Sequence, residues 1–245
     1  MIATARNRQP SHYQPPIDIR SVGLQELLAK TGRAALEDRQ FELLGSEGSL
    51  AHVYYAGNIG NLNRPCVSIV GTRDVSEDGA ARARRLAHEL VMAGIVVVSG
   101  LAKGVDTAAL TSAIESGGST VAVIGTPLDK AYPAENARLQ EDIYHNHLLL
   151  TPFRVGEQTF KGNFPKRNRV MAAISDATVI VEASDTSGTL HQAAECGRLG
   201  RWLFIMKSIL DDTRLSWPHK FIGTPKVALL NSTQDVIDAI HAERA

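Results

Sequence analysis

The sequence predicts an α/β protein built on a doubly wound, mostly parallel sheet. Three observations lead to this prediction. Apolar runs such as Cys66–Val70 and Ile95–Val98 alternate with segments of helical periodicity. The runs are continuously apolar, as expected of strands that are covered on both faces. The first two runs each end in a glycine turn before a helix, which is the pattern of a βαβ unit.

The first sixty residues are predicted to precede this domain as an N-terminal arm with short helical or extended segments, and residues 61–245 form the domain itself. Residues 1–20 contain three prolines among polar and basic residues, which is typical of an extended arm. Helical patterns at 22–30 and 34–44 either pack on the sheet, which is slightly favoured, or form a small subdomain. The β-rich run His52–Gly57 leads into a linker at 58–65.

From residue 66 onward, strands and helices are expected to alternate. The segment 207–221 has no regular pattern and is left unassigned. Strands are predicted at 66–70, 95–99, 120–124, 147–152, 177–182, 202–206 and 226–230. Helices are predicted near 79–93, 105–116, 134–144, 165–174, 188–199 and 232–242.

Charge composition limits the partners that the whole molecule can attract. The chain has 26 Lys and Arg residues and 26 Asp and Glu residues, so a site for a polyanion has to be a local patch. Cys66 and Cys196 fall in a predicted strand and helix and are expected to be small buried hydrophobic residues. No apolar run reaches transmembrane length, and no apolar signal core is present, which predicts a soluble cytoplasmic protein without membrane partners.

Two glycine turns are candidate phosphate sites. In Gly71-Thr72-Arg73, a small residue lets a ligand approach the backbone, and the arginine can form a charged fork on a phosphate; a solvated turn is equally compatible with the spacing. In the loop that begins at Ser99, Gly100 and Gly104 flank Lys103 before a helix. Neither turn has dinucleotide-fingerprint or P-loop spacing, so no cofactor is expected. Asp106 is predicted to cap or charge-balance the helix start.

Three further loops complete the predicted site. The loop beginning at Gly125 contains Tyr132, which packs locally or stacks on a base. Ser187-Gly188-Thr189 opens a predicted helix and forms an anion cradle, a helix cap, or both. The segment 161–169 has four cations and no acid, which favours a phosphate-backbone site over a solvated charged face. Its polar members are Lys161, Asn163, Lys166, Arg167, Asn168 and Arg169.

Neither catalytic residues nor metal ligands are predicted. The sequence shows no pattern of nucleophile, histidine and acid, and no cluster of His, Cys, Asp and Glu at metal-ligand spacing. The main hypothesis is therefore a binding protein.

Taken together and in order, these blocks resemble the DprA/Smf family of DNA-processing proteins. The matching blocks are VYYAGN (53–58), VSIVGTR (67–73), VVVSGLAKGVDTAA (96–109), GGSTVAVIGTPLDKAYPAEN (117–136), GNFPKRNRVMAAISDATVIVEA (162–183) and SGT (187–189). The resemblance implies an extended Rossmann-like domain that binds single-stranded DNA, dimerises and hands the strand to a RecA-like recombinase during natural transformation. It also implies phosphate contacts by Arg73, Lys161, Lys166, Arg167 and Arg169, in a pocket lined by Gly100, Lys103 and Ser187-Gly188-Thr189.

A second class remains open as an alternative. Arg167 to Met171 is also similar to a segment of nucleotide phosphoribohydrolases of the "lonely guy" type. Those enzymes carry paired glutamates in the later loop, where this chain has His191 and Gln192, and Glu195 is a poor substitute. The missing carboxylate argues against hydrolysis but leaves a nucleotide-binding sensor or a related enzyme as the alternative.

Overall fold

A computed structural model describes residues 13–33 and 52–244. The predicted helix at 34–44 and most of the N-terminal arm lie outside the described residues. The described strands form one sheet in the order β1-β2-β6-β5-β4-β3-β7-β8-β9. Their bounds are β1 Arg20–Gly23, β2 His52–Gly57, β3 Cys66–Gly71, β4 Val96–Ser99, β5 Thr120–Val123, β6 Leu148–Thr151, β7 Ala177–Glu182, β8 Trp202–Met206 and β9 Val227–Leu230.

The sheet confirms the predicted doubly wound fold. All pairings from β6 through β5, β4, β3, β7 and β8 to β9 are parallel, whereas β1 and β2 are antiparallel additions at one edge. The chain builds outward from β3 to β6 and then returns to the other side of β3 with β7. The strand order therefore reverses between β3 and β7, which is where open α/β sheets bind ligands at the carboxyl ends of their strands.

Helices cover both faces of the sheet. They are α1 Leu24–Lys30, α2 Glu77–Met92, α3 Val105–Glu115, α4 Ala137–Asn146, α5 Asn163–Ile174, α6 Thr189–Leu199, α7 Lys207–Leu210 and α8 Thr233–Arg244. On one face α1, α5 and α6 pack against strand residues such as Val96 and Val98. On the other face α2, α3 and α8 pack against Val67 and Val97. Successive strand residues alternate between the two layers, because side chains point to opposite faces of a strand. Within the described residues, no helix has both the length and the apolar character needed to cross a membrane.

The N-terminal residues differ from the prediction in one respect. The helix predicted at 22–30 begins only at Leu24, because Arg20–Gly23 form a strand in which Arg20 lies opposite Tyr55 of β2. The predicted linker contains a short 3-10 helix, Ile59–Asn63, whose start is capped by the Asn58 side chain. β2 pairs in turn with β6, so β1 and β2 extend the same sheet. A domain boundary near residue 60 stays a prediction.

A buried arginine joins α1 to the amino end of the sheet. Arg33 is 1% exposed, and its guanidinium is 2.7 Å from an Asp176 carboxylate oxygen. It also donates to the Leu62 carbonyl at 2.6 Å and to the Arg64 carbonyl at 2.9 Å. The same Asp176 oxygen accepts the Cys66 amide at the start of β3. This network lies at the end of the strands opposite to their ligand-binding ends.

The segment 207–221, for which the sequence predicts no regular structure, packs beside the loop that follows β7. It contains α7 and a 3-10 helix at Trp217–Lys220. Trp217 is fully buried, and its indole N–H donates to the Ala183 carbonyl at 3.1 Å. Asp185 accepts the backbone amides of Ser216 and Trp217. The segment is thereby attached to the loop that follows β7.

Both cysteines are buried, as the sequence predicts. Burial raises the pKa of Cys196 to about 12, and its thiol lies 3.1 Å from the Thr178 hydroxyl. Because the thiolate is the reactive form, we expect neither thiol to react with a disulfide reagent at pH 8 in the folded protein. Titration after denaturation should reveal both thiols. Rapid reaction of a full equivalent before denaturation would contradict this burial.

Candidate nucleic-acid interface

A cleft lies at the carboxyl ends of the strands, where the strand order reverses. Its volume is about 270 Å³, and it is bounded by the turn after β3, the start of α3, one side of α5 and the loop before α6. The lining residues include Gly71, Thr72, Arg73, Asp106, Phe164, Arg167, Asn168, Met171, Ser187, Gly188, Thr189 and Gln192. Eight of the predicted site residues thus lie around one cavity, although they come from three separate segments.

Gly71 is required by the close packing of the turn after β3. A Cβ atom there would lie 2.5 Å from a Val105 methyl group and 2.7 Å from the Glu182 carbonyl oxygen. The Thr72 amide donates to that same carbonyl at 2.7 Å. Arg73 follows at the mouth of the cleft, where it is exposed and its guanidinium lies 5.5 Å from the centre of the Phe164 ring. Such a contact is a cation–π interaction, which fixes the arginine without using its hydrogen-bond donors.

Arg167, a predicted phosphate contact, uses part of its guanidinium inside the protein. Its side chain is buried, and Nη1 donates to the Val123 carbonyl at 2.7 Å and to the Gly100 carbonyl. It therefore ties together the ends of β4 and β5. Its Nε has no hydrogen-bond partner among the described residues. Burial lowers the pKa of Arg167, but a guanidinium remains charged at neutral pH.

Asp106 lies in the first turn of α3, but its carboxylate holds the loop between β4 and α3 and does not cap the helix. One carboxylate oxygen accepts the amides of Gly100 at 3.1 Å and Ala102 at 3.3 Å. Burial raises the pKa of Asp106, and Arg167 and the two amides act in the opposite direction. The loop also places the buried Leu101 at a φ of 56°, a backbone conformation that is costly for a residue with a side chain.

The loop before α6 is fixed to both of its neighbours. The Asn168 amide donates to the Gly188 carbonyl at 3.2 Å, and the Thr189 hydroxyl donates to the Gly71 carbonyl at 3.2 Å. The Ser187 hydroxyl accepts the Thr189 amide, but the N-cap position of α6 is occupied by Gly188, so no side chain caps the helix. Gly188 is exposed beside the cleft, at the positive end of the α6 dipole.

A smaller cavity adjoins the cleft on the β4 and β5 side. Gly100, Lys103 and Gly125 line it together with Tyr132 and Phe164. Gly125 makes room for Phe164, since a Cβ there would lie 2.7 Å from the ring. The Tyr132 and Phe164 rings lie 5.5 Å apart at 52°. Phe164 is not among the site residues predicted from the sequence, although it lies within the cation-rich segment 161–169.

The remaining predicted residues line neither cavity. The Ser99 hydroxyl donates to the Ile69 carbonyl inside the sheet, and the buried Asn163 has an unpartnered Nδ2. Lys161 is exposed just before α5, and Lys166 is half-buried. Arg169 lies 3.2 Å from Glu195 of α6, so it links two helices.

Lys103, which lines the smaller cavity, has its ammonium 2.7 Å from a Glu135 carboxylate oxygen. In the described part of the chain, no group of three His, Cys, Asp and Glu side chains is placed to hold a metal ion.

Comparison with known proteins identifies the family. A family model described as DNA recombination-mediator protein A matches residues 42–241. The chain belongs to this family. Among its relatives, DNA processing protein DprA of Streptococcus pneumoniae is 41% identical over 186 residues, which are 76% of this chain and 65% of that protein. The chain spans still less, 41%, of Protein Smf from Synechocystis.

Solved structures of family members share the fold. The X-ray structure of S. pneumoniae DprA matches with a TM-score of 0.72 and 35% identity over 91% of this chain and 74% of that one. A Helicobacter pylori DprA structure, described as revealing a single-stranded DNA binding mode, matches with a TM-score of 0.71 and 27% identity. That match covers 83% of this chain and 92% of the other. The Rossmann-like fold and the resemblance to the DprA/Smf family are therefore confirmed.

Phosphoribohydrolases of the "lonely guy" type carry paired glutamates where this chain has His191 and Gln192. These two positions therefore supply no carboxylate to the cleft. His191 is exposed, and the fully buried Gln192 donates to the Thr178 hydroxyl at 3.2 Å. Glu195 is bound by Arg169 and Arg198 and does not line the cleft. Asp106 is the carboxylate among the lining residues, and backbone amides hold one of its oxygens.

Proposed function

We propose that this protein binds single-stranded DNA at the carboxyl edge of its sheet, without chemically changing it, and delivers the strand to a RecA-like recombinase. One observation carries the proposal. In a protein with no net charge, the loops after β3, β4 and β5 and the starts of α5 and α6 bring cations, a helix N-terminus and an aromatic pair to one edge. Membership of a recombination-mediator family supports the same role.

Phosphates and bases meet different parts of this edge. The exposed Arg73 and Lys161, with Lys166 and the α6 N-terminus, bind the backbone. Phe164 and the 46% exposed Tyr132 offer ring faces to unstacked bases. Backbone charge and ring stacking carry little sequence information, so binding is largely independent of sequence. A duplex keeps its bases stacked on each other, and the single strand is therefore the preferred ligand.

The partners follow from the family resemblance. As in the sequence prediction, the protein acts in the cytoplasm as a homodimer, and the recombinase receives the strand during natural transformation. Light scattering at micromolar concentration measures the dimer directly. Strand transfer by a recombinase on DNA coated with a single-strand-binding protein, with and without this protein, measures the delivery step.

A nucleotide sensor or phosphoribohydrolase-like enzyme is the second candidate, because the buried Asp106 lines the cleft and has a raised pKa. Two assays separate the candidates. Anisotropy with a labelled oligonucleotide should show saturable binding, and chromatography should show no free base released from nucleoside monophosphates. Base release that is lost in Asp106→Asn, without oligonucleotide binding, would instead establish the enzyme.

Glu135 should weaken DNA binding in the native protein. Its carboxylate is paired with Lys103, and both side chains are more than half exposed, so a phosphate competes with it for the ammonium. Exposed pairs contribute little, and Glu135→Gln is expected to tighten oligonucleotide binding by about two- to fivefold. Glu115→Gln removes the same charge from an exposed position at the end of α3 and serves as the matched control. Equal effects of the two variants would show that only net charge matters.

A further inference from the structure

The cleft adjoins one further cavity on each side, and the two cavities differ in the charged residues that line them. Toward β4 and β5, it shares Arg73, Phe164 and Arg167 with the smaller cavity. Toward β8, it shares Thr72 and Ser184 with a third cavity of about 580 Å³. The three cavities follow the strand order from β5 to β8 along the carboxyl edge of the sheet. A strand that crosses the cleft along this edge would therefore have to pass both neighbours.

The side toward β4 and β5 suits a polyanion. The charged residues that line this cavity are Arg73, Lys103 and Arg167, and none of its lining residues is acidic. In the described part of the chain, the ion-pair partner of the Lys103 ammonium is the exposed Glu135, a contact that a phosphate can replace at little cost. A chain of phosphates is attracted along this side.

The side toward β8 does not suit a polyanion. Its cavity is lined by Asp74, Glu182 and Asp212 and by two arginines. Each arginine already has a carboxylate partner: Arg82 lies 3.7 Å from Glu182, and Arg214 lies 2.7 Å from Asp212. Asp74 has no ion-pair partner among the described residues and leaves the cavity with excess negative charge. Phosphates placed here would meet like charges and no unpaired cation.

The cleft contains a buried hydrogen-bond donor that lacks a partner. Arg167 is 6% exposed, and its Nε has no hydrogen-bond partner among the described residues. Buried polar groups are normally hydrogen-bonded, so this donor indicates a ligand with an acceptor group that reaches α5 from the cleft. An anion there would also face the N-terminus of α6 and the exposed guanidinium of Arg73 at the mouth. These observations favour a compact, highly charged group.

We propose that the cleft receives the end of a DNA strand as a terminal phosphate monoester, and that the chain leaves over Phe164 toward Lys103. A terminal phosphate has three free oxygens and a charge of about −1.5 to −2 at pH 7, more than an internal phosphodiester carries. Its oxygens can accept from the Arg167 Nε and from the α6 N-terminus, and it needs only one exit, on the basic side. This inference rests on the proposed single-stranded DNA binding and specifies which part of the strand enters the cleft.

The test compares oligothymidylates that differ only at their ends. Four forms of about 16 nucleotides, a length that fills one single-strand-binding domain, carry the same internal fluorophore. They have a 5′-phosphate, a 3′-phosphate, two hydroxyl ends, or a covalently closed circle. One phosphorylated form should bind about tenfold more tightly than the hydroxyl-ended form, the gain expected from an added charge-assisted contact. The circle should bind no more tightly than the hydroxyl-ended form.

Variants assign that preference to the cleft. Arg167→Lys, checked for an unchanged fold by circular dichroism, should reduce the end preference to about twofold or less. Lys161 does not line the cleft, so Lys161→Ala should weaken the binding of all four oligonucleotides and keep the preference for a phosphorylated end. A circle that binds as tightly as the phosphorylated linear forms would overturn the end proposal but leave DNA binding intact. Failure of all four forms to bind would overturn both.

Discussion

Replacing Arg73 and Lys161 together by alanine is expected to weaken single-stranded DNA binding by about one hundredfold. Each removed hydrogen bond to a charged phosphate is worth about 1.5–3 kcal/mol, and solvent exposure of both side chains places the loss near the lower bound. Both residues are exposed, and neither belongs to the apolar core. The thermal midpoint should therefore stay unchanged while anisotropy titration reports the loss.

The control removes the same charge elsewhere. Arg84 and Arg85 are exposed on α2, away from the cleft, and neither forms an ion pair with a described carboxylate. Arg84→Ala/Arg85→Ala should weaken binding by about twofold or less, because screening limits the effect of remote charges. If both double variants lost affinity equally, binding would depend on overall charge, and the location proposed for the site would be wrong.

Replacing Arg33 by methionine is expected to lower the free energy of unfolding by about 3–5 kcal/mol. The substitution keeps much of the side-chain volume but removes the guanidinium that lies 2.7 Å from the Asp176 carboxylate, whose side chain is 12% exposed. The Leu62 and Arg64 carbonyls lose a donor as well. For a chain of this size, the thermal midpoint should fall by about 10 °C. Scanning calorimetry measures the change.

Two comparisons isolate the buried pair. Arg20→Met removes an arginine whose pairing with Asp18 is solvent-exposed, and it should cost below about 1 kcal/mol. Arg33→Met/Asp176→Leu removes both charges and should be more stable than Arg33→Met alone, because the carboxylate is removed together with its guanidinium partner. A loss in Arg33→Met as small as that in Arg20→Met would show that the network contributes little to joining α1 to the sheet.

The parallel sheet was predictable because its signals are local. Apolar runs such as Cys66–Val70 and Ile95–Val98 mark strands covered on both faces, and all seven predicted strands are present. β1 is not predicted from the sequence because its residues, Arg20–Gly23, are stabilised by pairing with His52–Tyr55 of β2, a distant segment of the chain. Segment 207–221 was unassigned because Trp217 is held by the Ala183 carbonyl, a contact that no local pattern reveals.

The candidate site was predictable in composition but not in detail. The glycine turns and the cation cluster identified the turn after β3, the start of α5 and the loop before α6, which together enclose the cleft. Spacing could not show that the carbonyls ending β4 and β5 would capture Arg167. Nor could it show that Glu135 and Glu195 would pair with Lys103 and Arg169. Each of these contacts depends on where distant segments meet in the fold.

The dependence of oligonucleotide affinity on salt tests the central claim most directly. For single strands, the logarithm of the association constant falls with the logarithm of salt concentration by about 0.7 per neutralised phosphate. Arg73, Lys161 and Lys166 each neutralise one DNA phosphate in this account, so we expect this logarithmic plot to be linear with a slope of about −2 for strands of unrelated sequence. A slope near zero, or no binding at low salt, would contradict a phosphate-binding edge.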